Sequence, residues 1–226
     1  MFRKVLIAVA ALAVSACSYG SAVDIAPIKD RLAHPVVPAG YYCPAKGAQG
    51  AYQISADDDC APLKWNGGQR TLTMIDKDDP KKSMEIAFVM LDQGLYAAQF
   101  DDPAVASGKA GALKLHQINL IIASGKAFTL VSSLDGDDLE AALKRHPKLT
   151  VGHDGKTAYI AAGEASEIKS FLRDAAGEAL KQDRAKGDEV DVVVLDAPGK
   201  PEHSASTAQV RDIEAVKAIV AKLTPR

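Results

Sequence analysis

The sequence predicts an α+β fold: an antiparallel β-meander, then a helical and hairpin segment, then a C-terminal amphipathic helix. Three observations carry this. In Ser83–Leu91, Met84, Ile86, Phe88 and Met90 alternate with Ser83, Glu85, Ala87 and Val89, the period-2 pattern of a strand with one buried face. Asn66-Gly67-Gly68 separates two alternating runs, a hairpin signal because Asn-Gly tolerates positive φ. Further on, Ile168, Phe171, Leu172, Ala175, Ala179 and Leu180 recur at helical spacing and form one apolar stripe.

Each element follows in order. Gly40 to Ser133 reads as β throughout. Ala61-Leu63-Trp65 and Thr71-Thr73-Ile75 flank the Asn-Gly turn, and Leu95–Phe100 follows the turn Asp92-Gln93-Gly94. Two strands, about 112–122 and 127–132, meet at Ser124-Gly125. The first changes phase between Leu113-Leu115 and Ile118-Leu120-Ile122, so a bulge near His116–Gln117 is expected to bring both sets to one core. The short gaps make neighbours antiparallel. From Leu134 the chemistry changes. Asp137 and Glu140 open a helix with Leu139 and Leu143 one turn apart, and Pro147 stops it. A small hairpin, 149–151 with 157–160, turns at Asp154-Gly155 and precedes the long helix. Val190–Leu195 is short and apolar enough for a buried strand, and Thr207 can cap a helix whose stripe is Val210, Ile213, Val216, Val220 and Leu223. The domain frame expected is 1–16 signal, 17–38 tether, 39–197 α+β domain (meander 40–133, helix-hairpin-helix-strand 134–197), 198–206 linker and 207–226 helix.

The N-terminus has its own logic. Arg3 and Lys4 precede the uncharged run Val5–Val14, which is too short to cross a bilayer as a mature helix of about 20 residues. It ends in Val14-Ser15-Ala16-Cys17. These 17 residues resemble the lipobox signal of bacterial lipoproteins. The resemblance implies cleavage before Cys17, diacylglycerol on its thiol, and anchoring by two or three acyl chains. A single chain holds only reversibly, at about 0.8 kcal/mol per buried methylene. Ser18 rather than Asp follows the cysteine, and within that class this implies the periplasmic face of the outer membrane rather than inner-membrane retention. Ser18–Pro38, with Pro27, Pro35 and Pro38, is expected to act as the tether, spanning on average about 25 Å.

With Cys17 lipidated, Cys43 and Cys60 remain as an even pair, which in an oxidising compartment reads as a disulfide. Two buried thiols or a metal pair are the alternatives, the latter disfavoured because no histidine lies near either cysteine. The 27 basic residues fall to 25 once Arg3 and Lys4 leave with the signal, against 29 acidic ones. That balance gives no electrostatic footprint for nucleic acid or anionic headgroups, so the membrane is met through the lipid alone.

Candidate chemistry is sparse. Ser166 and Lys169 fit S-x-x-K, but thirteen serines and nineteen lysines in 226 residues give about one such match by chance, and no K-T-G or S-D-N accompanies it. On a helix whose stripe faces a sheet, Ser166 lies about 200° from Ile168 and points away from the core. Asp57-Asp58-Asp59, Asp76 with Asp78-Asp79, and Asp135 with Asp137-Asp138 lack the spacing of a calcium loop. His146 and His153 could approach at the hairpin, although His146 also suits a helix C-terminus. Glu202-His203-Ser204 holds a base beside a nucleophile without preorganisation. Neither a catalytic residue nor a metal or cofactor site is therefore expected. The expected function is a lipid-anchored periplasmic binding or structural module, with an envelope protein as its possible partner. The alternatives are an envelope hydrolase with a site hidden from sequence, or a proteinaceous inhibitor of an envelope enzyme.

Overall fold

The computed structural model describes residues 18–48, 51–54, 60–75, 83–101, 115–134, 136–154, 157–186, 191–196, 202–204 and 206–224. Its strands are β1 Ser18–Ser21, β2 Gly40–Ala48, β3 Ala51–Ile54, β4 Ala61–Asn66, β5 Thr71–Met74, β6 Met84–Asp92, β7 Leu95–Asp101, β8 His116–Ser124, β9 Ala127–Val131, β10 Thr150–Asp154, β11 Thr157–Ala162, β12 Val193–Asp196 and β13 Glu202–Ser204. The helices are α1 Gly136–Lys144, α2 Ala165–Lys186 and α3 Thr207–Leu223.

The fold is α+β, and its sheet closes, which corrects the expected meander. Strands β4 to β9 run as antiparallel sequence neighbours. The ring continues from β4 to β2, to β12, to β9 and back to β8, giving a closed eight-stranded antiparallel barrel. The short apolar run near residue 193 thus closes the barrel: Val193 pairs with Phe128, and Val194 pairs with both Ala127 and Ala45.

Closure explains why both faces of the wall are apolar. Alternate side chains fall into two clusters. Leu63, Leu72, Ile86, Phe88, Ile121, Phe128, Val193 and Leu195 come from strands all around the ring and fill its interior. Ala87, Val89, Leu95, Ala97, Leu120, Ile122 and Val131 face outward, into a second cluster with Ile168, Phe171 and Leu172 of α2 and Ile213 and Val216 of α3. So β6 has two buried faces rather than the one its alternation suggested, while Met90, in phase with Phe88, is 58% exposed near the strand end. Burying a side chain such as Ile168, Phe171 or Leu172 contributes about 1.5–3 kcal/mol, which is why α2 sits where its stripe is covered.

Ser18–Pro38 is not a tether, and this is the largest correction. β1 pairs antiparallel with β8, Ser18 opposite Asn119 and Ser21 opposite His116, and parallel with β11 on its other edge. Because β9 pairs with β8 from Leu120 to Ser124, β1 takes over the edge of β8 where β9 leaves it. A side sheet of β1, β11 and β10 thereby grows from the barrel wall. Tyr19 is buried, its ring edge-on to Phe171, and its hydroxyl accepts the Leu134 N–H at 2.9 Å. Ile25 and Ala26 are also buried. The buried Gln99 side chain accepts from Ile25 N–H at 2.8 Å and donates to Asp24 at 2.6 Å. The chain then crosses one mouth of the barrel. Leu32 N–H donates to the Phe88 carbonyl, Arg31 donates to the carbonyls of Ala26 and Gln69, and Leu32, Val36 and Val37 pack on the interior cluster.

Other details differ from expectation for local reasons. The β4–β5 turn spans residues 67–70, with positive φ at Arg70 rather than Gly67, and Asn66 Oδ1 accepts the Gln69 N–H. No register shift occurs at His116–Gln117, where β8 pairs in step with β7; Leu113 lies outside the described residues. Register shifts occur instead between Met90 and Asp92 and between Thr150 and Val151. Within the expected linker 198–206, Glu202–Ser204 forms β13 on β3. The cap of α3 is Ser206, in a capping box with Gln209, rather than Thr207. Close packing of α3 over the hairpin turns requires two glycines: Gly94 and Gly125 both have positive φ, and a Cβ there would meet Ile219 and Asp212 respectively.

Candidate functional site

Cys43 and Cys60 form the expected disulfide. Cys43 lies in β2 and Cys60 just before β4, with Cα atoms 4.0 Å apart, and both are buried. The bond fixes β2 to the start of β4 where β2 changes partner along one edge, from β4 at residues 40–42 to β3 at residues 45–48. Its environment is structural. Cys17, the lipidation candidate, lies outside the described residues.

The S-x-x-K pair does not converge. Ser166 is exposed in the first turn of α2, and Lys169 Nζ lies 3.5 Å from Asp30 Oδ2, directed at the segment that crosses the barrel mouth. A serine nucleophile needs its base within hydrogen-bond reach, and here the lysine serves to hold Asp30.

His146 and His153 do not meet either. His153 is exposed on β10, opposite Ala158. His146 follows α1 and is buried against α2, where Nδ1 lies 3.2 Å from Glu167 and Nε2 3.4 Å from Asp174. Phe171 presents its ring edge-on at 5.6 Å. Glu167 and Asp174 are seven residues apart and so share one helix face. The imidazole bridges two carboxylates, with each nitrogen engaged, and clamps the α1–β10 connection onto α2. Sequence reasoning placed His146 at a helix end but missed both partners; two acids seven apart around Phe171 were the available signal.

Most of the acidic groups named from the sequence fall where no side chain is described. Asp57-Asp58-Asp59, Asp76, Asp78, Asp79 and Asp135 lie outside the described residues. Asp137 and Asp138 are exposed in the first turn of α1, where acidic side chains suit the helix dipole. Among the described residues no group of three or more His, Cys, Asp or Glu side chains could hold a metal ion. Glu202, His203 and Ser204 have backbone positions opposite Gln53, Tyr52 and Ala51.

A concavity lies among the described residues. Between the mouth-crossing segment, the β8–β9 turn, the end of β12 and the start of α3 lies an open cleft of about 630 Å³. Pro35, Val36 and Pro38 form one wall, and Lys126, Asp196, Gln209 and Asp212 supply polar groups. Several of these are already engaged. Gln209 donates to Asp196 at 2.9 Å, the Lys126 N–H donates to Asp212 at 3.0 Å, and Lys126 Nζ sits 4.9 Å over the Tyr42 ring. The polar groups of this mostly apolar cleft are thus bonded to one another across its walls. Among the described residues no helix is long and apolar enough to cross a membrane.

Comparison with protein-family models, with curated proteins and with solved structures found no match to this chain.

Proposed function

We propose that this protein is a lipid-anchored periplasmic envelope protein, held to the outer membrane through Cys17, and that it works as a non-catalytic binding or structural module. The observation that carries the proposal is the order of features in residues 1–17: Arg3 and Lys4, an uncharged apolar run, then Val14-Ser15-Ala16-Cys17. Three features support the module. The barrel interior is packed with side chains from strands around the ring. Lys169 is directed to Asp30. The cleft beside Pro35 and Gln209 sets a few polar groups among mostly apolar walls, suited to contact with an envelope protein.

Fractionation of cells expressing the full chain tests this. The native protein sediments with the outer membrane, and a Cys17→Ala form becomes soluble in the periplasm. A native protein already soluble in the periplasm would defeat the proposal. Stoichiometric labelling of Ser166 by a fluorophosphonate, lost in Lys169→Ala, would put an envelope hydrolase in its place.

A further inference from the structure

Building on the anchoring role proposed for Cys17, we infer that the anchor has no tether. The domain lies flush on the bilayer, with the face where β1 begins turned to the lipid. Cys17 is bonded to Ser18, and Ser18 is already a sheet residue, paired with Asn119 of β8. One trans peptide step places the lipidated Cα within about 3.8 Å of the Ser18 Cα. A free stretch from Ser18 to Pro38 would have allowed about 25 Å.

The pairing is held on several sides. β1 has β8 on one edge and β11 on the other, Tyr19 is locked by Phe171 and Leu134, and Ala22 N–H donates to the Ile160 carbonyl. Gln99 then secures Asp24 and Ile25. Pulling the lipid away from the domain would strip β1 from two neighbours, so the acyl chains cannot move off independently.

The landmarks of the lipid-facing side follow from the sheet. β9 ends at Val131, opposite Leu120, immediately beside the start of β1. Ser132 Oγ donates to Asp183 near the C-terminal end of α2, which places that helix end in the same region. That helix end carries exposed Lys181 and Lys186 beside Asp183, so its charge is mixed and contact comes from the covalent lipid and not from attraction to headgroups. The outer surface of β4, which carries exposed Lys64, lies across the ring from β8 and points away from the membrane.

Trypsin treatment of the full lipidated protein in phosphatidylethanolamine–phosphatidylglycerol vesicles tests this, with acylation of Cys17 first established by mass. Lys29 and Arg31 are the first cleavage sites after Cys17. If residues 18–38 were a tether, cutting there would free the domain. With β1 in the sheet the domain stays with the vesicles, nicked or not. A variant with a lysine-containing Gly/Ser spacer between Cys17 and Ser18 is released, its new N-terminus inside the spacer. Nitroxides at Ser132→Cys and Lys64→Cys give a second readout that needs no spacer: the first is shielded from aqueous relaxation agents on vesicle binding and the second is not. Release of the native domain with an N-terminus at Asp30 or Leu32, or equal accessibility of the two labels, would overturn the inference. Absence of acyl mass on Cys17 would instead overturn the anchoring role beneath it, and the flush anchor with it.

Discussion

Replacing Tyr19 separates a domain that includes its N-terminal segment from one that hangs on a tether. Tyr19 is 4% exposed, packs edge-on against Phe171 at 5.8 Å, and accepts the Leu134 N–H at 2.9 Å. In Tyr19→Phe the ring packing persists while a buried backbone donor loses its acceptor, which costs about 1–3 kcal/mol. In Tyr19→Ala the ring is lost as well, and by analogy with other large aromatic truncations the cost is about 3–5 kcal/mol. At about 2–4 °C per kcal/mol for a domain of this size, Tyr19→Ala lowers Tm by roughly 10 °C and Tyr19→Phe by about half of that or less. Urea and thermal unfolding of a Cys17→Ala form with its disulfide intact would measure both. If Tyr19→Ala unfolded with the parent, residues 18–21 would not belong to the sheet. If Tyr19→Phe cost as much as Tyr19→Ala, the hydrogen bond rather than ring burial would dominate, contrary to the packing argument.

Further expectations concern the core and the candidate chemistry. Phe88→Ala in the barrel interior destabilises by about 3–5 kcal/mol, whereas Met90→Ala two residues along, in phase but exposed, stays within about 0.5 kcal/mol in the same unfolding assay. Comparable losses at both positions would place Met90 in the core. Cys43 and Cys60 are separated by 17 residues, and reducing their bond removes about 3 kcal/mol on the chain-entropy model, read as a lower urea midpoint. An unchanged midpoint would mean that the reduced chain is already held close at that point. Ser166 stays unlabelled by fluorophosphonate and β-lactam probes, since Lys169 faces Asp30; labelling that depends on Lys169 would overturn the assignment.

What the sequence made legible follows the range of the interactions involved. The hairpins linking β4 with β5, β6 with β7, and β8 with β9 were readable because turn chemistry and alternation are local. The stripe of α2 was readable too: all six residues named from its spacing are buried. Barrel closure was not, because β12 meets β2 and β9 across long stretches of chain, and nothing in Val193–Asp196 says which edges it will join. β1 was hidden for a different reason. Ser18-Tyr19-Gly20-Ser21 has one strand-favouring side chain, and its place is set by an edge of β8 that β9 leaves vacant. Gly20 fits there because a Cβ would press on Tyr159 and Leu115. Of the site candidates, the disulfide was legible by counting. The clamp of His146 between Glu167 and Asp174 was not, since it needs the α1–β10 connection to fold back on α2.

The intact mass of the membrane-extracted protein decides whether Cys17 carries the proposed lipid that fixes this barrel to the envelope. The expected mass is that of a chain beginning at Cys17 with added acyl mass and with Cys43 joined to Cys60. A soluble mature protein with an unmodified N-terminus at another residue would contradict it.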